Sequence, residues 1–210
     1  MDNNYIFQYW EAIQNGTVTV GKWIKTIYKI LVNGLKSGKW DFDEEKANKA
    51  INFIENFCHH SEGRNDLLKL ELWQKAIVSA IFGIMDKRTG YRQFREVFIV
   101  VARKNGKTLF AAAIAAYMAY IDGEYGAKVY FLAPKLDQAD LVYDAFYQIV
   151  QADDELDSIT KKRRSDIYIK EFNTSVKKIA FNSKKSDGFN PQMVVNDEME
   201  AWQGDQGLKQ

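Results

Sequence analysis

The eight residues VARKNGKT, at positions 101–108, join two segments of different character. Before them, EVFIVVA at 96–102 is a nearly continuous apolar run, which is typical of a strand buried on both faces. After them, residues 108–121 are mostly small and apolar, and they predict a helix. A strand, a glycine-lysine turn and a helix in this order are the parts of a phosphate-binding loop.

The loop departs from the usual phosphate-binding pattern at one position. That pattern is glycine, four residues and then Gly-Lys-Ser/Thr, and Gly106, Lys107 and Thr108 fill its last three places. Val101 stands where the first glycine is expected. The loop predicts phosphate binding by Lys107 and by backbone N–H groups, with Mg²⁺ held by the Thr108 hydroxyl. A structural strand-to-helix turn is the alternative.

A later apolar run ends in two acids. QMVVNDEMEAW, at 192–202, predicts a strand that delivers Asp197 and Glu198 at its carboxyl end, where α/β sheets bind ligands. Asp197 would hold Mg²⁺, and Glu198 would orient and deprotonate an attacking water. The alternative is a strand end with solvated acids that cap the next helix. The presence of both motifs in this order favours nucleotide hydrolysis.

The segment LELWQK, at 70–75, lies upstream of the loop. Gln74 can pair with the edge of an adenine through its amide, and Trp73 can stack on the base. The spacing of Leu70, Trp73 and Ile77 also fits the buried face of an ordinary helix, so both interpretations stay open.

Composition limits the classes of protein that fit. The chain has 210 residues, 46% of them hydrophobic and 14% aromatic, which suffices for one sizeable domain. A net charge of +1 means that any DNA contact is local or shared with other subunits. Cys58 is the single cysteine, so an internal disulfide is excluded. The longest small-apolar stretch, at 109–121, is too short to span a bilayer, and we expect a soluble, cytosolic protein.

Elements on both sides of the loop set the expected architecture. Residues 5–16, 19–35 and 41–60 predict helices, and the second has one face made of Val20, Trp23, Ile24, Ile27, Ile30 and Leu31. Downstream, a strand at 127–133, a helix at 135–151 and a hairpin around Asn173-Thr174-Ser175 are predicted. The alternation of strands and helices indicates an α/β fold with a parallel sheet.

Together these motifs resemble the large subunit of the tailed-bacteriophage terminase, the ATP-driven DNA-packaging motor. ARKNGKT at 102–108 resembles that family's variant phosphate loop, which lacks the first glycine, and LWQKAI at 72–77 resembles its adenine motif. The resemblance covers essentially the whole chain, because four further segments share it: FLAPKLDQA at 131–139, residues 183–202, residues 5–25 and FCHHSEG at 57–63.

The resemblance implies a role for each site residue. The ATP-binding set is Trp73, Gln74, Arg103, Lys104, Asn105, Gly106, Lys107 and Thr108. Thr108 and Asp197 would hold Mg²⁺, and Glu198 would be the catalytic carboxylate. Arg103 would stabilise the γ-phosphate, with a solvated loop charge as the alternative.

The resemblance also implies a fold. We expect a P-loop NTPase of the additional-strand, catalytic-glutamate type, with an N-terminal helical region at 1–62 and an ATPase domain at 63–210. Whole large subunits are longer, so the nuclease domain is expected to be absent from this sequence. The strand that normally lies between the phosphate-loop strand and the acidic strand would follow Gln210, and the sheet is therefore expected to be incomplete.

The implied partners are double-stranded viral DNA, the terminase small subunit, the portal protein and further copies in a ring, in the host cytoplasm and without a membrane. Two alternatives remain: a helicase-like or restriction-type DNA translocase, and a truncated remnant that only binds nucleotide.

Cys58-His59-His60 has too few ligands for a zinc site, and KKRR at 161–164 is expected to be a charged surface. The lysines of VKKIAFNSKKSDG, at 176–188, are expected in a surface loop or on DNA backbone.

Overall fold

The computed structural model describes residues 4–60, 63–133, 136–180 and 190–196. The chain divides into two units, one made of Met1–Asn56 with Leu68–Val100 and the other of Phe57–Leu67 with Val101–Gln210. The domain boundary predicted at residue 62 stays a prediction. No helix in the described ranges has the length and apolar character that crossing a bilayer requires.

Helices build the first unit. They are α1 (Tyr5–Gln14), α2 (Lys22–Lys36), α3 (Glu44–Phe57) and α4 (Leu72–Gly83), and the antiparallel strands β1 (Asp41–Phe42) and β2 (Ile84–Met85) join two of their ends. The predicted helices are confirmed. A helical period of apolar residues gives the first three of them one buried side each, and their buried residues include Ile6 and Ile13 of α1, Leu31 and Val32 of α2, and Ala50 and Ile54 of α3.

The apolar face predicted for α2 is only partly buried. Leu31 lies in the core, but Trp23, Ile27 and Ile30 are exposed, and Tyr28 and Val32 take the neighbouring core positions. The contact between the Tyr28 ring and the Tyr9 ring, edge-on at 4.7 Å between centroids, helps to fix the buried side of α2. Gly34 lies one turn beyond Ile30 and has no Cβ that would collide with the buried Trp40 ring.

A five-stranded mixed sheet forms the centre of the second unit. Its strands are β3 (Lys128–Ala133), β4 (Thr160–Lys162), β5 (Ile167–Ile169), β6 (Thr174–Ala180) and β7 (Met193–Asn196), in the order β4-β5-β6-β3-β7. β3 runs parallel to β6 and to β7, whereas β4 and β5 are antiparallel to their neighbours. The α/β class is confirmed, and so is the hairpin predicted around Asn173, where φ is +53°. The antiparallel strands β4 and β5 make the sheet mixed, whereas the strand-helix alternation had predicted a parallel one.

Three helices accompany this sheet: α5 (Lys107–Tyr120), α6 (Leu136–Ala152) and the short α7 (Asp154–Ile159). Helix α5 contacts β3, β6 and β7, and it packs against α6. Its small side chains permit this close packing, since the alanines at 112, 113, 115, 116 and 119 are all buried. Phe131 of β3 lies between Tyr143 and Phe146 of α6, at ring-centroid distances of 6.3 and 5.9 Å.

The strand predicted at 96–102 is not formed. Its residues belong to no strand in the described chain, and Phe98 and Val100 are 76% and 80% exposed. A strand buried on both faces needs neighbouring strands to pair with and other elements to cover its faces. An apolar run in the sequence does not guarantee that either is present. Within the described residues β7 pairs with β3 alone, so the sheet edge beyond β7 has no strand there. The expected incompleteness of the sheet stays a prediction.

Candidate nucleotide-binding site

The loop before α5 takes its shape from two left-handed residues. Lys104 has φ +66°, and Gly106, the N-cap of α5, has φ +69° and ψ +23°. The Asn105 amide nitrogen donates to the carbonyl oxygen of Ala102 at 3.0 Å and to that of Arg103 at 3.3 Å. Alternation of left- and right-handed residues turns successive N–H groups toward one concave side, which is the geometry of an anion-binding nest.

Gly106 leaves the start of α5 open. A Cβ built at this position would meet no atom within 4 Å. Glycine is therefore favoured here by the positive φ and not by a close neighbour. The helical hydrogen-bond ladder begins here, where the Phe110 N–H donates to the Gly106 carbonyl at 2.9 Å. The N–H groups of the first turn have no acceptor within the helix, and together with the positive end of the helix dipole at the exposed Gly106 they suit an anion.

Positive side chains are concentrated at this helix start. Arg103, Lys104 and Lys107 fall within five residues, and the sequence has no acid between Glu96 and Asp122. A cation in the first turn of a helix opposes the dipole by about 0.3–1 kcal/mol. Arg103 and Lys104 are exposed, whereas Lys107 and Thr108 are half-buried. This arrangement is poor for helix stability and well suited to binding a polyanion.

The direction of α5 relates the loop to the end of β7. At the far end of the helix, the side-chain Nε2 of Gln192 donates to the Asp122 carbonyl at 3.2 Å, immediately before β7 begins. The Gln192 N–H donates to the Lys128 carbonyl at 2.9 Å and starts the ladder between β3 and β7. Because α5 packs along β7, its N-terminal end is directed toward the carboxyl end of that strand. Asp197 and Glu198 follow β7 and lie outside the described residues.

The segment predicted to bind adenine begins α4 in the first unit. Glu71 is the N-cap, and its backbone N–H donates to the Gln74 side-chain oxygen at 2.9 Å in a capping box. Gln74 is buried and Trp73 is half-buried against the hydrophobic core of this unit. The Gln74 amide therefore has a structural task already, and its adenine contact stays a prediction.

Sequence reasoning missed Glu55 as the residue that positions this segment. Its carboxylate accepts the Leu70 N–H at 2.9 Å and pairs with Lys75 at 3.1 Å, and both charged side chains are about four-fifths buried. Lys75 also lies over the Tyr5 ring, 5.3 Å from its centroid. No local sequence pattern indicates this role of Glu55, because its partners Leu70 and Lys75 are 15 and 20 residues farther along the chain.

The other candidate sites behave as ordinary structure. Cys58 is fully buried, and burial raises the pKa of its thiol. The described residues contain no group of three or more His, Cys, Asp or Glu side chains able to hold a metal ion. In KKRR, Arg163 makes two hydrogen bonds to the buried Asp166, at 2.8 and 3.0 Å. The lysine loop predicted at 176–188 lies largely outside the described residues.

Comparison with known proteins gives one family and one fold. The sequence profile of the terminase large subunit ATPase domain matches residues 72–210. The crystal structure of the bacteriophage HK97 large terminase is similar, with a TM-score of 0.61 and 23% identity over 72% of this chain and 30% of that one. No curated protein matches the sequence significantly. The loop at the start of α5 falls within the matched region, and the chain belongs to the terminase large subunit ATPase domain family.

Proposed function

We propose that this chain binds and hydrolyses ATP as the ATPase part of a viral DNA-packaging motor. The observation that carries the proposal is the start of α5, where a left-handed glycine and three cations form an open anion cradle in a member of a terminase ATPase family. A triphosphate is the ligand that this concentration of positive charge and N–H groups fits best.

The loop residues have distinct roles in this proposal. The Lys107 ammonium contacts the β- and γ-phosphates, and residues 103–106 wrap the phosphates with backbone N–H groups. Thr108 and Asp197 hold Mg²⁺, since hydroxyl and carboxylate oxygens are the ligands that this ion prefers and the space above Gly106 is open. When bound, Mg²⁺ neutralises charge on the phosphates.

Two further residues act on the reacting group. Glu198 accepts a proton from the attacking water and orients it, as a general base at the end of the acidic strand. Arg103 precedes the cradle on the exposed side of the loop, where its guanidinium stabilises negative charge that develops on the transferred phosphoryl group. Trp73 and Gln74 contact the adenine, with the Gln74 oxygen keeping a lone pair beyond the one that caps α4.

The proposed setting is a homo-oligomeric ring that moves double-stranded DNA into a procapsid in the host cytoplasm, with the terminase small subunit and the portal protein as partners. The chain spans 30% of the length of the HK97 large terminase, so these partners are proposed for the protein as a whole. A net charge of +1 supports a DNA contact shared among several copies in place of a strongly basic single chain.

The site is tested by separating nucleotide binding from turnover. Binding of a fluorescent ATP analogue and release of phosphate are measured for the wild type, Lys107→Ala, Glu198→Gln and Lys128→Ala. We expect Lys107→Ala to lose binding by at least about tenfold. Glu198→Gln should keep binding and lose turnover by about 10²–10⁴-fold. Lys128, an exposed lysine at the start of β3, is the matched control and should change neither.

The result that contradicts the site is equal binding and equal turnover in the wild type and in both site variants. Binding without turnover in the wild type supports the alternative of a nucleotide-binding remnant. Turnover stimulated by duplex DNA, in the absence of procapsids, supports a translocase mechanism and leaves packaging to be shown by DNA uptake into procapsids.

A further inference from the structure

Helix α2 leaves an apolar stripe exposed along its N-terminal half. Trp23, Ile27 and Ile30 are spaced i, i+4 and i+7, which places them on one side of the helix, and Ile24 borders them. These four residues, the α2 stripe, are 74%, 48%, 55% and 39% exposed in that order. Their combined area is on the order of a few hundred Å², a size at which apolar patches mark interaction sites.

The α2 stripe is presented by a helix that is already fixed. Tyr28, Leu31 and Val32 anchor another side of α2 in the core of the first unit. Gly34 allows the Trp40 ring to pack directly on the helix backbone. A partner therefore meets an ordered surface, and little conformational entropy is lost when it binds.

Charge defines the chemistry of the partner. Residues 12–40 contain five lysines and no acid, and the lysines are Lys22, Lys25, Lys29, Lys36 and Lys39. At about 100° per residue, the first four of these share the sector of α2 that is neither core nor stripe. All four are exposed, and only Thr26 and Asn33 lie between this sector and the α2 stripe.

We propose that the α2 stripe is a docking site for an acidic amphipathic helix of a partner protein. Such a helix places its own apolar side chains along Trp23, Ile27 and Ile30, while its carboxylates reach Lys22 and Lys29, at the edge of the lysine sector nearer the α2 stripe. Apolar contact supplies affinity, and the complementary charges speed association and fix orientation. This site lies in the first unit and does not depend on the proposed ATPase activity.

Other occupants fit the same observations less well. A helix that lies on a bilayer sinks its whole apolar arc, but the centre of this arc is buried in protein at Leu31. Nucleic acid would use the lysines and leave the stripe in water. A symmetric second copy would bring two lysine sectors of like charge together.

The test uses designed peptides and the full chain. A labelled peptide with leucines at i, i+3, i+4 and i+7 and glutamates elsewhere is titrated with protein, and binding is followed by fluorescence anisotropy. A peptide of the same composition in scrambled order and one with lysines replacing the glutamates serve as comparisons. We expect the acidic helical peptide alone to bind, and Trp23→Ala and Ile27→Asp to weaken binding by at least about tenfold.

Matched variants make the result specific. Leu141 of α6 is 56% exposed, and Leu141→Asp should leave binding unchanged. Lys22→Glu with Lys29→Glu, the two lysines of the sector nearest the α2 stripe, should weaken binding of the acidic peptide and permit binding of the lysine peptide. Melting temperatures show whether each variant is folded. If Ile27→Asp unfolds, Trp23→Ala, at the exposed start of α2, remains as the test of the α2 stripe.

Four outcomes overturn the proposal. They are equal binding of the ordered and scrambled acidic peptides, absence of binding by the wild type, a dimer in sedimentation that Ile27→Asp abolishes, and stripe-dependent binding to duplex DNA or to vesicles of phosphatidylglycerol and phosphatidylcholine in place of the peptide.

Discussion

Gly106 has a backbone conformation that an L-residue adopts only at a cost. Its φ of +69° is in the left-handed region, and no atom lies within 4 Å of the position of a Cβ. Gly21 is also a helix N-cap with open space around it, but its φ is −68°. Gly106→Ala should therefore destabilise the protein by about 1–2 kcal/mol more than Gly21→Ala.

Urea denaturation of the two glycine variants measures this difference. Gly106→Asn should fall between the wild type and Gly106→Ala, because asparagine tolerates the left-handed region better than alanine does. Equal losses of stability for Gly106→Ala and Gly21→Ala would show that the loop relaxes to a negative φ without penalty.

Glu55 concentrates several contacts in one residue. Its removal in Glu55→Ala leaves the Leu70 N–H and the Lys75 ammonium without their acceptor in a largely buried place. We expect a loss of about 1–3 kcal/mol, because an unpaired buried group keeps its desolvation cost. The pair between Lys46 and Asp43 is more exposed, and Lys46→Ala should cost less than about 1 kcal/mol.

Thermal or urea unfolding of these two variants tests the contrast, and a loss for Lys46→Ala as large as that for Glu55→Ala would contradict it. The Gln74 capping box lies next to Leu70, so Glu55→Ala should also weaken nucleotide binding if Gln74 contacts adenine as proposed.

The start of α3 gives a pH-dependent contribution at the scale of one element. The backbone N–H of Lys46 donates to the Asp43 carboxylate at 3.0 Å, and this hydrogen bond, helped by the Lys46 ammonium, lowers the pKa of Asp43 against the opposing effect of partial burial. Because the folded pKa is below the unfolded value of about 3.9, the stabilisation is complete above that value and disappears as the pH falls through the folded pKa.

Comparison with Asp43→Asn isolates this contribution from the other carboxylates. Asparagine caps a helix without a charge, so the wild type should be the more stable of the two at pH 7. The difference in unfolding free energy, about 1 kcal/mol or less, should vanish as the pH falls below the unfolded pKa of about 3.9 and through the lower folded pKa. A difference that is constant over this range would mean that the carboxylate charge contributes nothing.

The elements also show what the sequence can and cannot reveal. The helices were predictable because their period is local. Phosphate binding at the loop stays a prediction, and the left-handed Gly106 at the start of α5 is the feature that the structure adds to it. The buried side of α2 was not predictable, since its apolar arc includes both the Trp23 and the Tyr28 sides and the contact of Tyr28 is made with a ring of another helix, that of Tyr9. The segment at 96–102 has the composition of a strand, but composition does not determine whether another strand is present to pair with it.

At the scale of the whole molecule, the exposed segment at 97–100 is an aggregation hazard. Val97, Phe98, Ile99 and Val100 are apolar, β-prone, uncharged and 39–80% exposed. Phe98→Lys with Val100→Lys should reduce light scattering on incubation at 37 °C without lowering the melting temperature. Tyr125→Lys with Leu141→Lys removes apolar groups that are separate and comparably exposed, and this control should change scattering little. Equal effects of the two pairs would assign aggregation to general hydrophobicity.

The place of β3 between two strands that follow it in the chain has a consequence for biosynthesis. Val129 pairs with Val176 on one side and Met193 on the other, so both neighbours of this strand emerge from the ribosome after it. At about 5–20 residues per second, the first neighbour follows roughly 2–10 s later. During that interval the nascent chain carries an apolar strand with two bare edges, and chaperones that bind extended hydrophobic segments should associate with it there.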